Sequence, residues 1–349
     1  MEGYLVKKKF SEIDLSDSFF DSLKSDYSEF EDWFKRKNSE EAYLLHKDCK
    51  VEGFLYFKIE SGTIKDITPH IECNKALKIG TMKINPHKTR LGERFIKKAL
   101  DHALVEDVDV CYVTVFDKHQ TLVNLFKKYG FTLHGTKDTQ NGQELVLVKN
   151  LNEDKNDIIL NYPLISTYDA DKYILAIYPE YHSSMFPDSI LNNESVDILE
   201  DVSYTNSIHK IYVTRMPVNR ASRGDIFVMY RTADKGKTAE YSSVVTSVCV
   251  VEEVKSQNEF ADFEEFYTYA TKYSIFDRSD LELWYRKGKC FTVKMTYNAA
   301  LSRRLIRQKL IDNLRIGDRQ MRWSFFELTD GQFRNIIEEG GISERIIID

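Results

Sequence analysis

The sequence predicts an α+β chain of two domains. A mixed α/β domain occupies residues 1–150, and a β-rich domain with a helical insertion at about 256–289 occupies residues 162–349. Three observations carry this. At 349 residues the chain is too long for one ordinary hydrophobic core. Residues 78–94, KIGTMKINPHKTRLGER, read as a strand, a short polar loop and a helix start, the front half of a crossover unit. After residue 149 the texture changes, through a polar, acidic linker at 151–161, to short strands separated by turns.

Composition bounds what the chain can be. Hydrophobic residues at 42%, with only 6 prolines, specify a folded globular protein. The net charge of -6 argues against coating nucleic acid by bulk charge, although a local basic patch stays compatible with it. The cysteines Cys49, Cys73, Cys111, Cys249 and Cys290 are scattered without a C-x-x-C pair, which fits reduced thiols and excludes a ribbon-type zinc site. The N-terminal MEGYLVKKKF has no apolar core of a signal peptide, and no run approaches a membrane span. The expectation is a cytoplasmic protein that holds no metal.

In chain order, residues 4–13 predict a strand. Phe19, Phe20, Leu23, Tyr27, Phe30, Trp33 and Phe34 then recur at helical spacing across two short helices, an aromatic stripe suited to core packing. Residues 41–46 and 51–59 read as a hairpin. The strand in 78–94 stops at Asn85-Pro86, and the helix after it carries Leu91, Phe95, Ile96, Ala99, Leu100, Ala103 and Leu104 on one face. Residues 108–116 form a β-branched buried strand. Residues 120–129 are helical and end at Gly130 in a C′ position. Residues 131–133 and 144–149 close the domain as strands around Gln140-Asn141-Gly142.

A strand that delivers a glycine-containing loop to a helix start leaves backbone N–H groups pointing one way, and the helix dipole adds partial positive charge there. That is a phosphate cradle. The loop His87-Lys88-Thr89-Arg90-Leu91-Gly92 and the helix end Leu125-Phe126-Lys127-Lys128-Tyr129-Gly130-Phe131 resemble the two motifs of the GNAT family of N-acetyltransferases, and the element order matches along residues 1–150. The resemblance implies acetyl-CoA as cofactor. It places the coenzyme against Met82, Lys83, Ile84, His87, Lys88, Thr89, Arg90, Leu91, Gly92 and Glu93, with Asn124, Phe126 and Lys127 on the following helix.

Two departures from the family pattern bear on the site. Arg90 stands where the family has its first loop glycine; the cradle survives if its φ is negative, and its guanidinium then adds a phosphate contact. Phe126 stands where many members carry the tyrosine that reprotonates the coenzyme thiolate. Tyr129, three residues on, is the candidate catalytic hydroxyl. The segment 76–85 holds no carboxylate, which leaves His70, Glu72 and Asp117 as the nearest titratable groups in sequence.

Beyond the linker, strands are expected at 172–178, 209–214, 226–231, 242–254, 291–297 and 323–328, with helices at 300–313 and 330–339. Short strands with Gly-Asp turns point to a small barrel. The run Arg223-Gly224-Asp225-Ile226-Phe227-Val228-Met229-Tyr230 resembles the central element of PUA-like barrels, the group that includes ASCH and EVE domains, over about residues 165–340. That resemblance implies binding of RNA or a modified nucleobase. Arg223, Arg303, Arg304, Arg307 and Trp323 are the expected contacts, because cations hold phosphates and an exposed aromatic stacks on a base. Tyr181 and His182, on a proline-flanked loop, are further pocket candidates.

Together these readings specify an acetyl-CoA-dependent N-acyltransferase whose acceptor is RNA, a modified nucleoside or a nucleic-acid-associated protein. The alternative is a degenerate acetyltransferase fold serving as scaffold beside an RNA-binding barrel.

Overall fold

In the computed structural model, residues 4–47, 50–85, 89–189 and 207–348 are described. The chain divides into two compact units, with the break between Lys155 and Asn156.

The first unit is a seven-stranded sheet, in the order β1-β2-β3-β4-β5-β7-β6. Its strands are β1 (Tyr4–Lys9), β2 (Glu41–Lys47), β3 (Lys50–Ser61), β4 (Lys75–Ile84), β5 (Val110–Val115), β6 (Thr132–Thr139) and β7 (Gly142–Asn150). Helices α1 (Asp21–Asp26) and α2 (Phe30–Arg36) follow β1, α3 (Leu91–Val105) joins β4 to β5, and α4 (Gln120–Lys128) joins β5 to β6. This is the element order the sequence predicts. Only β4 and β5 pair in parallel, as the crossover through α3 requires.

The aromatic stripe is core. Phe19, Phe20, Phe30 and Phe34 are buried with Phe10 and Phe54 against β3. Fully burying one such ring stabilises the unit by roughly 1.5–3 kcal/mol. The predicted face of α3, from Leu91 through Leu104, is buried on the sheet's other side. Gly130 follows α4 at φ 82, the left-handed conformation that its C′ position needs.

The detail that shapes the sheet lies in β4. Its register against β3 runs Thr81↔Tyr56 and then Ile79↔Phe57, so Gly80 is an extra, unopposed residue. A β-bulge bends its strand and increases local twist. Pairing of β4 with β5 runs from Ala76↔Val110 to Ile79↔Val113 and stops at the bulge. From Gly80 to Ile84 the strand therefore leaves β5. A Cβ on Gly80 would sit 2.9 Å from the Tyr56 ring, which is why the bulged residue is glycine.

The second unit is a six-stranded sheet in the order β10-β13-β12-β11-β9-β14, with a separate parallel pair of β8 (Ile165–Ser166) and β15 (Ile347–Ile348). Its strands are β9 (Lys172–Ile177), β10 (His209–Thr214), β11 (Ile226–Arg231), β12 (Val244–Ser256), β13 (Phe291–Ile306) and β14 (Phe325–Leu328). The expected barrel is corrected here. The edge strands β10 and β14 do not pair with each other, so the sheet is open. Three register shifts in the long β12–β13 hairpin bend it without closing a ring.

The helix expected at 300–313 is also corrected. β13 runs on to Ile306, because Ala300, Leu305 and Ile306 are held by pairing with Ser247, Val245 and Val244 of β12. A ladder to a distant strand overrides local helix propensity. Only Arg307–Asp312 is helical. Two helices, Phe263–Ala270 and Arg278–Lys287, fill the connection between β12 and β13.

Candidate functional site

Where β4 parts from β5, the first unit opens a cleft of ≈ 1090 Å³. That is just above the range of roughly 300–1,000 Å³ for small-molecule sites. Its walls are α1 and α2, the splayed ends of β4 and β5, the starts of α3 and α4, and the β6–β7 hairpin. A wedge between two strands exposes backbone N–H and C=O groups that have lost their ladder partners, and a ligand with amides can replace them.

At one end of the wedge is the start of α3. Met82, Lys83, Ile84, Thr89, Arg90, Leu91 and Gly92 all line the cleft there. The N-cap residue Arg90 provides no side-chain cap, and the positive end of the helix dipole lies at this end of the cleft. His87 and Lys88 lie outside the described residues.

Arg90 departs from expectation. It sits at φ 58 and ψ 27, left-handed, not at negative φ. The family's glycine position is thus occupied by a residue in a glycine conformation, at a cost of about 1–2 kcal/mol. Its guanidinium is 3.8 Å from the carboxylate of Glu93. Arg90→Gly is accordingly expected to raise the melting temperature by about 1–4 °C, read by a thermal scan of the two proteins. An unchanged or lower value would show that the loop is not strained there.

Gly92 has a different reason to be glycine. A Cβ on it would lie 2.6 Å from Leu125 Cδ2, so its hydrogen lets α4 approach α3. Leu125 in turn lines the cleft.

Other expected contacts are not brought together. Glu93 is buried, with Lys128 Nζ at 2.8 Å. Phe126 is fully buried against Phe131, ring centroids 5.0 Å apart, and does not line the cleft. Asn124 and Lys127 are exposed outside it. Tyr129 is fully buried away from the cleft lining, so its assignment as catalytic hydroxyl is corrected: the end of α4 faces the core, not the wedge. His70, Glu72 and Asp117 also lie outside the lining, with Glu72 accepting from Thr63 and Asp117 from Gln120.

The titratable groups that do face the cleft come from other elements. Tyr27 donates to Glu144 Oε1 at 2.7 Å, and both line the wedge near the end of β5. Burial, then the Glu144 charge, raises the Tyr27 phenol, so it stays a neutral donor. Asp26 receives Lys118 at 2.6 Å and His119 at 2.9 Å. Burial raises its carboxyl, but those two bonds outweigh it and leave Asp26 below the usual carboxylate range. Lys83 donates to the Phe19 carbonyl and to Ser22 Oγ at 2.6 Å, and burial lowers its ammonium. Lys83 was an expected contact; only their shared position near the strand ends and turns, invisible to local periodicity, could have marked Tyr27, Glu144, Asp26, Lys118 and His119 in the sequence.

In the second unit, the expected nucleic-acid contacts are engaged within the fold. Arg307 donates to the carbonyls of Asp318, Arg319 and Met321 and lies over the Trp323 ring, 5.1 Å from its centroid. Trp323 is 7% exposed and donates to Asp318, so it is no stacking platform. Arg304 donates to the Thr246 and Asp188 carbonyls, and Arg303 to Glu338. Arg223 is exposed, donating to Glu252 O and standing 3.5 Å from Asp157. His182 is fully buried and bonded to Thr246 Oγ1 at 2.7 Å, while Tyr181 packs on Phe276.

No protein-family profile matches the chain, and no curated protein does. Among solved structures, the ASCH protein from Zymomonas mobilis is similar to it over 48% of this chain and 94% of its own, at 8% identity and a TM-score of 0.33. A GNAT family acetyltransferase from Elizabethkingia anophelis with acetyl-CoA bound is similar over 43% of this chain and 98% of its own, at 11% identity and a TM-score of 0.32. An N-acetyltransferase from Campylobacter jejuni is similar over 42% and 97%, at 15% identity and a TM-score of 0.28. Scores of this size carry no argument about function, which rests on the cleft.

Proposed function

We propose that the first unit transfers an acetyl group from acetyl-CoA to an amine. The observation that carries the reading is the wedge between β4 and β5 that ends at the uncapped start of α3. A pyrophosphate suits the amides at Leu91 and Gly92 with the charge of Arg90 beside them. The amides of the pantetheine arm suit the unladdered edge of β4 between Gly80 and Ile84.

The chemistry then follows from what faces the wedge. A neutral amine attacks the thioester carbonyl, and a backbone N–H of β4 polarises that carbonyl. Glu144, oriented by the Tyr27 hydroxyl, accepts the amine proton. The carbon–sulfur bond breaks, and the thiolate leaves toward the start of α4, where Lys118 supplies positive charge.

Titration calorimetry with acetyl-CoA tests the first half of this reading. Saturation is expected at or below about 100 μM, the level of typical KM values. An absence of heat at that concentration would overturn it. No side chain from the second unit enters the argument, and RNA as acceptor draws no support from Arg307 or Trp323.

A further inference from the structure

The cleft has a second charged region, which the acetyl transfer described above does not use. Ile84, beside the start of α3, and Lys78 both line the cleft from β4. They lie six residue steps apart, roughly 20 Å along an extended strand. Lys78 therefore stands at the end opposite the phosphate cradle.

Three lysines converge there. Lys58 of β3 is the direct cross-strand partner of Lys78, and Lys137 of β6 adds its charge to the same field. Like charges directly opposite one another are destabilising. Lys58 and Lys137 each have a carboxylate, with Glu60 at 2.5 Å and Asp66 at 2.5 Å respectively. Neither carboxylate lines the cleft. Glu60 is fully engaged, since its other oxygen accepts the Tyr112 hydroxyl.

Lys78 differs from its neighbours. Among the described residues it makes no hydrogen bond and no ion pair; its ammonium lies over the Tyr112 ring, 5.4 Å from the centroid. Burial, and then Lys137, lower its pKa despite Glu60 and Asp66 nearby. Among the described residues, seven cationic side chains line the cleft (Lys37, Lys58, Lys78, Lys83, Arg90, Lys118, Lys137) against four carboxylates (Asp26, Glu29, Asp138, Glu144), in a chain of net charge -6. A half-buried ammonium facing other ammoniums, with no ion pair of its own, is the arrangement of an anion receptor.

We propose that the acceptor carries an oxyanion, a carboxylate or a phosphate ester, that docks on Lys78 with Lys58 and Lys137 beside it while its amine reaches Glu144. The amine half of this statement rests on the acetyl-transfer reading; the anion half does not.

The test is a titration of the full chain, saturated with CoA, with inorganic phosphate and separately with acetate. It is followed by NMR of isotopically labelled lysine side chains. One of the two anions is expected to shift the Lys78 signal and saturate in the millimolar range. Acetate would identify a carboxylate acceptor, and phosphate a phosphate ester. Lys78→Met weakens that anion about tenfold, followed on Lys58 and Lys137, while Lys78→Arg retains it. Saturation by neither anion below about 50 mM, or equal affinity in Lys78→Met, overturns the proposal. If CoA itself does not bind, the acetyl-transfer reading fails, and the Lys78 signal in the free chain still decides the anion site.

Discussion

Glu144→Gln is expected to lower the rate of acetyl transfer about 10²- to 10⁴-fold, the usual contribution of a positioned general base. Glutamine keeps an oxygen for the Tyr27 hydroxyl, so the wall of the cleft is preserved and only the proton acceptor is lost. Glu144 is 4% exposed, which leaves little room for water to replace it. Binding of acetyl-CoA should stay within about twofold of the native value, because Glu144 lies on β7, away from the start of α3. Tyr27→Phe, which removes only the orienting donor, should cost about tenfold. Transfer of labelled acetyl groups, measured beside calorimetry on the same samples, reads both. A Glu144→Gln protein with the native rate would remove Glu144 from the mechanism and leave the coenzyme site standing.

Gly92→Val should instead weaken coenzyme binding and destabilise the first unit. The new Cβ would meet Leu125 at 2.6 Å and Ile84 at 3.5 Å, and valine adds two methyl groups that cannot both turn away. Overpacking of this kind costs about 1–3 kcal/mol. For a unit of this size that is a fall of about 2–10 °C in Tm. Moving α4 off α3 also shifts the first amides of α3, so acetyl-CoA affinity should fall by about tenfold or more. A stable Gly92→Val protein that binds acetyl-CoA normally would show that the contact between the helices does not hold the cradle.

These two residues also mark what the sequence could and could not reveal. Gly92 was legible, since a glycine just inside a helix start after a strand is a local pattern. Its reason was not, because Leu125 lies on another helix. The face of α3 and the stop at Gly130 were legible for the same local reason. Glu144, Tyr27 and Lys78 were not. They sit on β7, at the end of α1 and on β4, and only the strand order of the sheet brings them to one wedge. In the second unit, segment 300–313 misled because ALSRRLIRQKLIDN has helical composition, while its partners on β12 are about 50 to 60 residues away. Arg307 and Trp323 looked like a ligand surface because spacing cannot distinguish an exposed cation–aromatic pair from one that holds its own loop.

Gly80 has a consequence of another kind. The opening between β4 and β5 does not depend on any particular side chain in its walls; it depends on β4 being one residue longer than its partner β3 requires. Deleting Gly80 would restore an uninterrupted ladder and let the two parallel strands zip together past Val113, sealing the sheet. Replacing residues around it would only retune the chemistry inside. The capacity to admit a ligand is thus written in the length of the chain, and the choice of ligand in its letters. A one-codon deletion and a point substitution at the same place should therefore fail in different ways, the first by closing the sheet and the second by crowding Tyr56.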